Sequence, residues 1–93
     1  MHFGYTTYKI KLYAINSLKE KRSVVKRLIN DLRKNFNASI VETGAHDSRD
    51  WLEISVGMIT RTRKEIDALF ESVESRIINW NGLEVINVES EVW

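Results

Sequence analysis

The feature that most constrains how this chain of 93 residues can fold is the switching of its hydrophobic spacing between two periods. Segments in which apolar and polar residues alternate indicate half-buried strands, whereas apolar residues three or four positions apart indicate amphipathic helices. Along the chain the two patterns follow one another in the order strand, helix, strand, strand, helix, strand. The chain therefore mixes α and β elements in two similar halves.

Alternation predicts four strands, over residues 3–14, 38–43, 51–59 and 83–93. The residues expected to point inward on the first and third strands are Tyr8, Ile10, Leu12, Ala14, Leu52, Ile54, Val56 and Met58. On the last strand Ile86, Val88 and Val92 are expected to share one face, opposite Glu89, Glu91 and Trp93. Residues 44–50 form a polar connection that makes the two middle strands a hairpin.

Both predicted helices begin with a capping box, in which a Ser or Thr and a Glu three residues later satisfy free backbone N–H groups. The pairs are Ser17 with Glu20, and Thr62 with Glu65. The apolar stripes that follow contain Leu18, Val25, Leu28, Ile29, Leu32 and Phe36 in the first helix, and Ile66, Leu69, Phe70, Val73, Ile77 and Trp80 in the second. Asn81-Gly82 ends the second helix.

This order of elements predicts one α+β domain over residues 1–93, since no glycine- or proline-rich joint divides the chain. Right-handed crossovers favour a four-stranded antiparallel sheet with both helices on one face, which is the ferredoxin-like βαββαβ arrangement.

The chain has no cysteine, which excludes disulfides and thiolate metal sites and is typical of a reducing compartment. No signal peptide or membrane-spanning segment is recognisable, so we expect a cytoplasmic protein with no membrane contact. The four glycines are scattered and form no phosphate-binding loop, so we expect no nucleotide cofactor.

The polar connection contains His46, Asp47 and Asp50, which could form a base with an orienting carboxylate or a weak metal site. A polar turn explains the same residues, because Asp, Ser and Gly favour turns for backbone reasons. No second histidine stands at ligand spacing, and no nucleophile lies beside a base. We therefore predict no catalytic residue, no metal and no cofactor, and do not expect an enzyme.

Positive charge is concentrated near the start of the chain. Residues 1–36 hold nine Lys/Arg against two acidic residues, a balance of +7, while residues 37–93 hold five against eleven, a balance of −6. Most of this excess lies on the first helix, where the candidate nucleic-acid-binding residues are Lys19, Lys21, Arg22, Lys26, Arg27 and Arg33. Three of them stand in the first two turns, where the helix dipole disfavours cations.

Lys21 differs from the others because helical spacing places it between Leu28 and Leu32 on the buried side. Either its stem lies along the core with the ammonium emerging at the helix end, or a buried carboxylate pairs with it. The first interpretation is the expected one.

The face of the sheet without helices is expected to show Tyr5, Tyr13, Trp51 and Trp93, with Lys9 and Lys11 opposite Glu89 and Glu91 as cross-strand pairs. Aromatic residues beside lysines are also found where RNA recognition motifs stack bases. Because the third strand lacks the basic and aromatic signature of that motif and the charges balance, a homodimer interface is the favoured interpretation.

The run Ser-Leu-Lys-Glu-Lys-Arg-Ser-Val-Val-Lys from Ser17, the Phe36-Asn37-Ala38-Ser39 junction with Glu42, and the Asp50-Trp51 entry to the third strand resemble the YlxP-like bacterial proteins. That family is a small domain of unknown function with no established catalytic residues. The resemblance implies a ferredoxin-like fold and a ribosome-linked role, because the family's genes often lie among those for translation and ribosome maturation. The chain has Ile15-Asn16 where the family usually has a proline.

Two hypotheses of different classes follow. The leading one is a non-enzymatic accessory protein that contacts structured RNA or a ribosomal assembly through the basic flank of the first helix. The alternative is a homodimeric protein-interaction module built on the open face of the sheet.

Overall fold

A computed structural model describes all 93 residues. The strands are β1 (His2–Leu12), β2 (Ser39–Gly44), β3 (Trp51–Thr60) and β4 (Leu83–Val92), and the helices are α1 (Leu18–Asn35) and α2 (Arg63–Ile78). The sheet has the order β2-β3-β1-β4, and every neighbouring pair is antiparallel. Both helices bury residues against the same sheet face. The ferredoxin-like βαββαβ prediction is confirmed.

The core lies between the helices and the sheet. From the strands it contains Tyr8, Ile10, Leu12, Ile40, Leu52, Ile54, Val56 and Met58, and from the helices Val25, Leu28, Ile29, Leu32, Ile66, Val73 and Ile77. Leu18 of the α1 stripe is half-buried, while Phe36, Leu69, Phe70 and Trp80 are partly buried and pack against its edge. The helix stripes were therefore predicted well. Neither helix is both long and apolar enough to cross a membrane.

Both capping boxes form, with one detail that the pattern alone does not specify. Ser17 Oγ and Thr62 Oγ1 each accept a hydrogen bond from the backbone N–H three residues later. The Glu20 and Glu65 carboxylates accept from the backbone N–H of Asn16 and Arg61, one residue before the capping residue. In each helix, the Glu side chain therefore also fixes the loop residue that precedes the capping residue.

An ion pair joins the two helices on the outer surface. Arg76 of α2 donates from Nε and Nη2 to the two carboxylate oxygens of Asp31 on α1, at 2.6 and 2.9 Å. These hydrogen bonds hold the pKa of Asp31 below its ordinary value. Asp31 is thereby engaged with α2 rather than with the cations of its own helix.

The structure corrects two details of the strands. Ala14 lies outside β1, in the left-handed region at φ 60°, and is exposed. The pairing of β1 with β4 shifts register between Lys9 and Ile10 of β1. Lys9 lies opposite Asn87 and Ile10 opposite Val85, so Ile86 of β4 is left unpaired. This bulge reverses the alternation, so Val85 packs against the core and Ile86 is exposed.

Tyr8 leads to a pH-dependence prediction. It is almost completely buried, its hydroxyl donates to the Phe70 carbonyl at 3.1 Å, and burial raises its pKa to about 12. Between pH 10 and 12 the unfolded chain ionises Tyr8 while the folded chain keeps its proton, so the free energy of unfolding should fall. The expected contribution is about 2–3 kcal/mol. Urea unfolding at stepped pH should show a shallower fall for Tyr8→Phe, whereas Tyr5→Phe, which leaves Tyr8 in place, should keep the wild-type slope. Equal slopes for all three chains would contradict the assignment.

Candidate nucleic-acid interface

Three of the candidate cations meet in one groove. Arg22, Lys26 and Arg33 line an open groove of about 360 Å³ between α1 and the β2 edge of the sheet. They share this flank because they are spaced by four and seven residues, close to one and two helical turns. The other lining residues are Val25, Ile29, Asn30 and Glu42. Helical spacing predicts Lys19, Arg22, Lys26 and Arg33 on one flank of α1; Lys19 is not among the residues that line the groove.

Arg33 also has a structural role in this groove. Its Nη2 donates to the backbone carbonyl of Ile40 at 2.7 Å, which ties the last turns of α1 to β2. Because β2 is an edge strand, its outer carbonyls lack a sheet partner, and Arg33 satisfies one of them. The guanidinium is thereby held in place at one end of the groove.

The remaining candidates are exposed and lie outside the groove lining. Lys19 and Arg27 are solvent-exposed on α1. No ion pair within 4.0 Å involves Lys19, Arg22, Lys26, Arg27 or Arg33; the six ion pairs of the structure are made by other cations. The flank therefore keeps its positive charge.

Lys21 must be removed from the set of candidate nucleic-acid ligands. It is 1% exposed, its Nζ donates to the Ala45 carbonyl at 2.5 Å, and it lies 3.7 Å from a Glu42 carboxylate oxygen. The expectation that its ammonium emerges into solvent is wrong, because Glu42 and Ala45 lie where the side chain ends. The pairing with a partly buried carboxylate, the less favoured interpretation, is the correct one.

This pair has an electrostatic cost and a structural effect. Burial lowers the pKa of Lys21, and the nearby Glu42 carboxylate acts in the opposite direction. The Ala45 carbonyl belongs to a residue in the left-handed region at φ 58°, an uncommon conformation for a residue with a Cβ. Lys21 therefore holds the start of the β2–β3 loop against α1.

The polar loop itself behaves as a turn. Ser48 N–H donates to the Ala45 carbonyl at 3.1 Å, and Ser48 Oγ accepts from Trp51 N–H at 3.2 Å. His46 Nε2 lies 3.1 Å from the Glu42 backbone carbonyl and 4.0 Å from its carboxylate, rather than being oriented by Asp47. No group of three or more His, Asp or Glu side chains in this structure is arranged to hold a metal.

The aromatic candidates lie on the open face of the sheet. Trp93 stacks on Phe3 with ring centroids 5.1 Å apart, and Tyr5 lies 6.1 Å from Trp93 at a tilt. Trp51 is half-buried at the other end of the sheet. Tyr13 is exposed, and its hydroxyl donates to Glu84 at 2.6 Å. Two of the four candidates, Tyr5 and Trp93, thus form an exposed cluster with Phe3, whereas Tyr13 and Trp51 lie apart from it.

The expected cross-strand pairs of Lys9 and Lys11 with Glu89 and Glu91 are not formed. The β4 register instead places Asn87 opposite Lys9 and Glu84 opposite Lys11, while Glu89 and Glu91 face Thr7 and Tyr5. Both lysine Nζ atoms lie over the Trp51 ring, at 5.2 and 4.9 Å from its centroid. Sequence reasoning missed this arrangement because it depends on the bulge and on the β1–β3 register.

Comparison with known proteins places the chain in a family. Residues 3–90 match the family model described as "Protein of unknown function (DUF503)". The chain belongs to this family. It is also 32% identical over 78 residues to "Uncharacterized protein YlxP" of Bacillus subtilis (strain 168), a match that covers 77% of this chain and 83% of that protein. The YlxP-like resemblance is therefore confirmed.

Solved structures of similar fold have low sequence identity to this family member. "Structural Genomics, protein YJCS" is 15% identical with a TM-score of 0.48, and the match covers 96% of each chain. SnoaB, a cofactor-independent oxygenase from Streptomyces nogalater, is 7% identical with a TM-score of 0.43, covering 99% of this chain and 90% of that one. These similarities concern the fold only.

The geometry explains most of the family-like run as structure. Ser17 caps α1, Glu20 closes the cap and Lys21 pairs with Glu42. Of the charged positions in the run, Arg22 and Lys26 line the groove. Two features of the sequence pointed to a partner for Lys21: its position on the buried side of α1, and the presence of Glu42 in the same family-like pattern. The sequence does not show which carboxylate reaches it.

The Lys21–Glu42 pair leads to a stability prediction. Lys21→Met should lower the free energy of unfolding by about 1–3 kcal/mol, because the Ala45 carbonyl and the Glu42 carboxylate lose their partner. The matched control is Lys19→Met two residues away, which should change it by at most about 0.5 kcal/mol. Urea denaturation measures both.

A double-mutant cycle separates the pair from packing effects. Glu42→Gln should cost less in the Lys21→Met background than in the wild type, since the ion pair is already absent there. Additive effects would contradict a direct interaction between the two side chains.

Proposed function

We propose that this chain is a non-enzymatic accessory protein that binds structured RNA of a ribosomal assembly through the groove of Arg22, Lys26 and Arg33. The observation that carries the proposal is that these cations have no carboxylate partner, although acidic side chains lie nearby. Unneutralised Lys and Arg side chains contribute most of the affinity of proteins for phosphate backbones. The YlxP-like resemblance implies a ribosome-linked role, which supports the proposal of a ribosomal RNA partner.

Each acidic side chain near the groove is engaged elsewhere. Glu20 accepts the Asn16 N–H at the helix start, and Asp31 is bound by Arg76 of α2. Glu42 reaches the groove but is paired with Lys21. The positive charge of the flank is therefore available to an external polyanion.

The groove also has a suitable length and chemistry. At 1.5 Å of rise per residue, Arg22 and Arg33 are separated by about 16 Å along α1. Several phosphates of a duplex lie within that length, because a duplex such as DNA carries one charge per roughly 1.7 Å of its axis. Arginine recognises phosphate through two parallel N–H donors, which favours a defined orientation of the backbone.

Salt-dependent binding tests the proposal. The double variant Arg22→Glu/Lys26→Glu should bind purified ribosomal RNA about 10- to 100-fold more weakly at 0.1 M salt, as expected for two lost phosphate contacts. The slope of log Kd against log salt should become shallower by about two units. Fluorescence anisotropy with labelled RNA measures both quantities.

The matched control is Arg63→Glu/Lys64→Glu at the exposed start of α2, which changes the net charge by the same amount. It should keep the wild-type slope. Equal losses in the two variants would show that only the overall charge matters, and no binding by the wild type would exclude the proposal directly.

A second candidate is a homodimeric interaction module that uses the open face. The observation that favours it is the exposed cluster of Phe3, Tyr5 and Trp93, with Ile59 beside them opposite Phe3 in the β1–β3 register. Aromatic residues with few charges are enriched in protein interfaces. This candidate requires a dimer in solution, and a chain that sediments as a monomer at millimolar concentration would exclude it.

A further inference from the structure

The open face carries two groups of charge that are kept apart. Lys9 and Lys11 lie on β1 with both ammonium groups held over Trp51, on the β3 side. Glu89 and Glu91 lie on β4, the strand at the opposite side of β1. None of these four side chains makes an ion pair within the chain.

The separation has a geometric cause. Glu89 lies opposite Thr7 and Glu91 opposite Tyr5, so the glutamates are displaced along β1 from the lysines. Trp51 draws both ammonium groups away from β4, and two cation–π contacts stabilise them there.

The other carboxylates of this face are occupied by hydroxyl groups. Glu84 accepts from Tyr13 at 2.6 Å and Glu53 accepts from Thr43 at 2.9 Å. Glu89 has only a long contact of 3.5 Å with the Asn87 amide. The lysines and Glu89 and Glu91 are therefore the charges on this face that lack a strong partner.

A face divided in this way is complementary to its own copy. In a twofold dimer each contact occurs twice, so the lysines of one copy can meet the glutamates of the other on both sides of the axis. An RNA strand on this face would meet four carboxylates, which disfavours it. A second copy satisfies both charge groups and also covers the exposed rings.

We propose that the open face is a self-complementary dimer interface in which Lys9 and Lys11 of one copy pair with Glu89 and Glu91 of the other. This inference rests on the second candidate function and adds to it the mode of pairing. The basic groove of α1 lies on the helix side of the sheet, so a dimer of this kind leaves both grooves accessible. The dimer would then present two RNA-binding grooves.

Charge exchange tests the pairing. Lys9→Glu/Lys11→Glu and Glu89→Lys/Glu91→Lys should each raise the dimer dissociation constant about a hundredfold or more, because like charges then face each other. An equimolar mixture of the two variants should form a heterodimer, since every contact is again between opposite charges. The chain carrying all four changes should dimerise like the wild type. Sedimentation equilibrium measures each case, and circular dichroism checks that each chain is folded.

The control is Arg63→Glu/Lys64→Glu, which has the same net charge as the lysine variant and should remain dimeric. A monomeric wild type would overturn both the inference and the candidate function. A wild-type dimer that neither charge reversal weakens would overturn only the inference, because self-association would then use another surface. If a reversal variant does not fold, the neutral variants Lys9→Gln/Lys11→Gln and Glu89→Gln/Glu91→Gln replace the reversals. Each neutral variant should raise the dimer dissociation constant. If neither variant raises it, the inference is overturned.

Discussion

The ion pair between Lys21 and Glu42 is the interaction on which the arrangement of the candidate site depends. It joins the first turns of α1 to the end of β2 and, through the Ala45 carbonyl, to the loop that follows. Buried pairs of this kind contribute little net stability, since desolvation offsets the attraction. The effect of the pair here is that Lys21 occupies the Glu42 carboxylate. Without Lys21, this carboxylate would neutralise the positive charge of the groove that it lines.

Helix α1 therefore carries cations of two kinds in one basic segment. Lys21 and Arg33 have defined partners, a carboxylate with a carbonyl in the first case and the Ile40 carbonyl in the second. Arg22 and Lys26 have none and stand in the groove, while Lys19 and Arg27 are exposed outside it. The helix dipole disfavours cations near the start of a helix. For Lys21 the Glu42 carboxylate compensates this effect. For Arg22 an external anion would compensate it.

The elements and the core could be predicted from the sequence because each depends on local periodicity. The stripe of α1, the inward residues of β3 and both helix caps were all visible as spacing. The β4 bulge at Ile86 was not, because Val85 and Ile86 are both apolar and only the pairing with β1 decides which of them faces the core. The partners of Lys9, Lys11 and Lys21 depended on strand register and on the path of a loop. These are long-range properties that a single sequence does not contain.

The central claim is that the free cations of α1 form the surface that meets a polyanion. Titration of the ¹⁵N-labelled chain with unlabelled ribosomal RNA fragments, followed by NMR chemical shifts, tests it residue by residue. The account predicts shifts concentrated on the backbone and side chains around Arg22, Lys26, Asn30 and Arg33, which disappear as salt is added. Shifts confined to the open face around Tyr5, Trp51 and Trp93, or no shifts at any salt concentration, would contradict it.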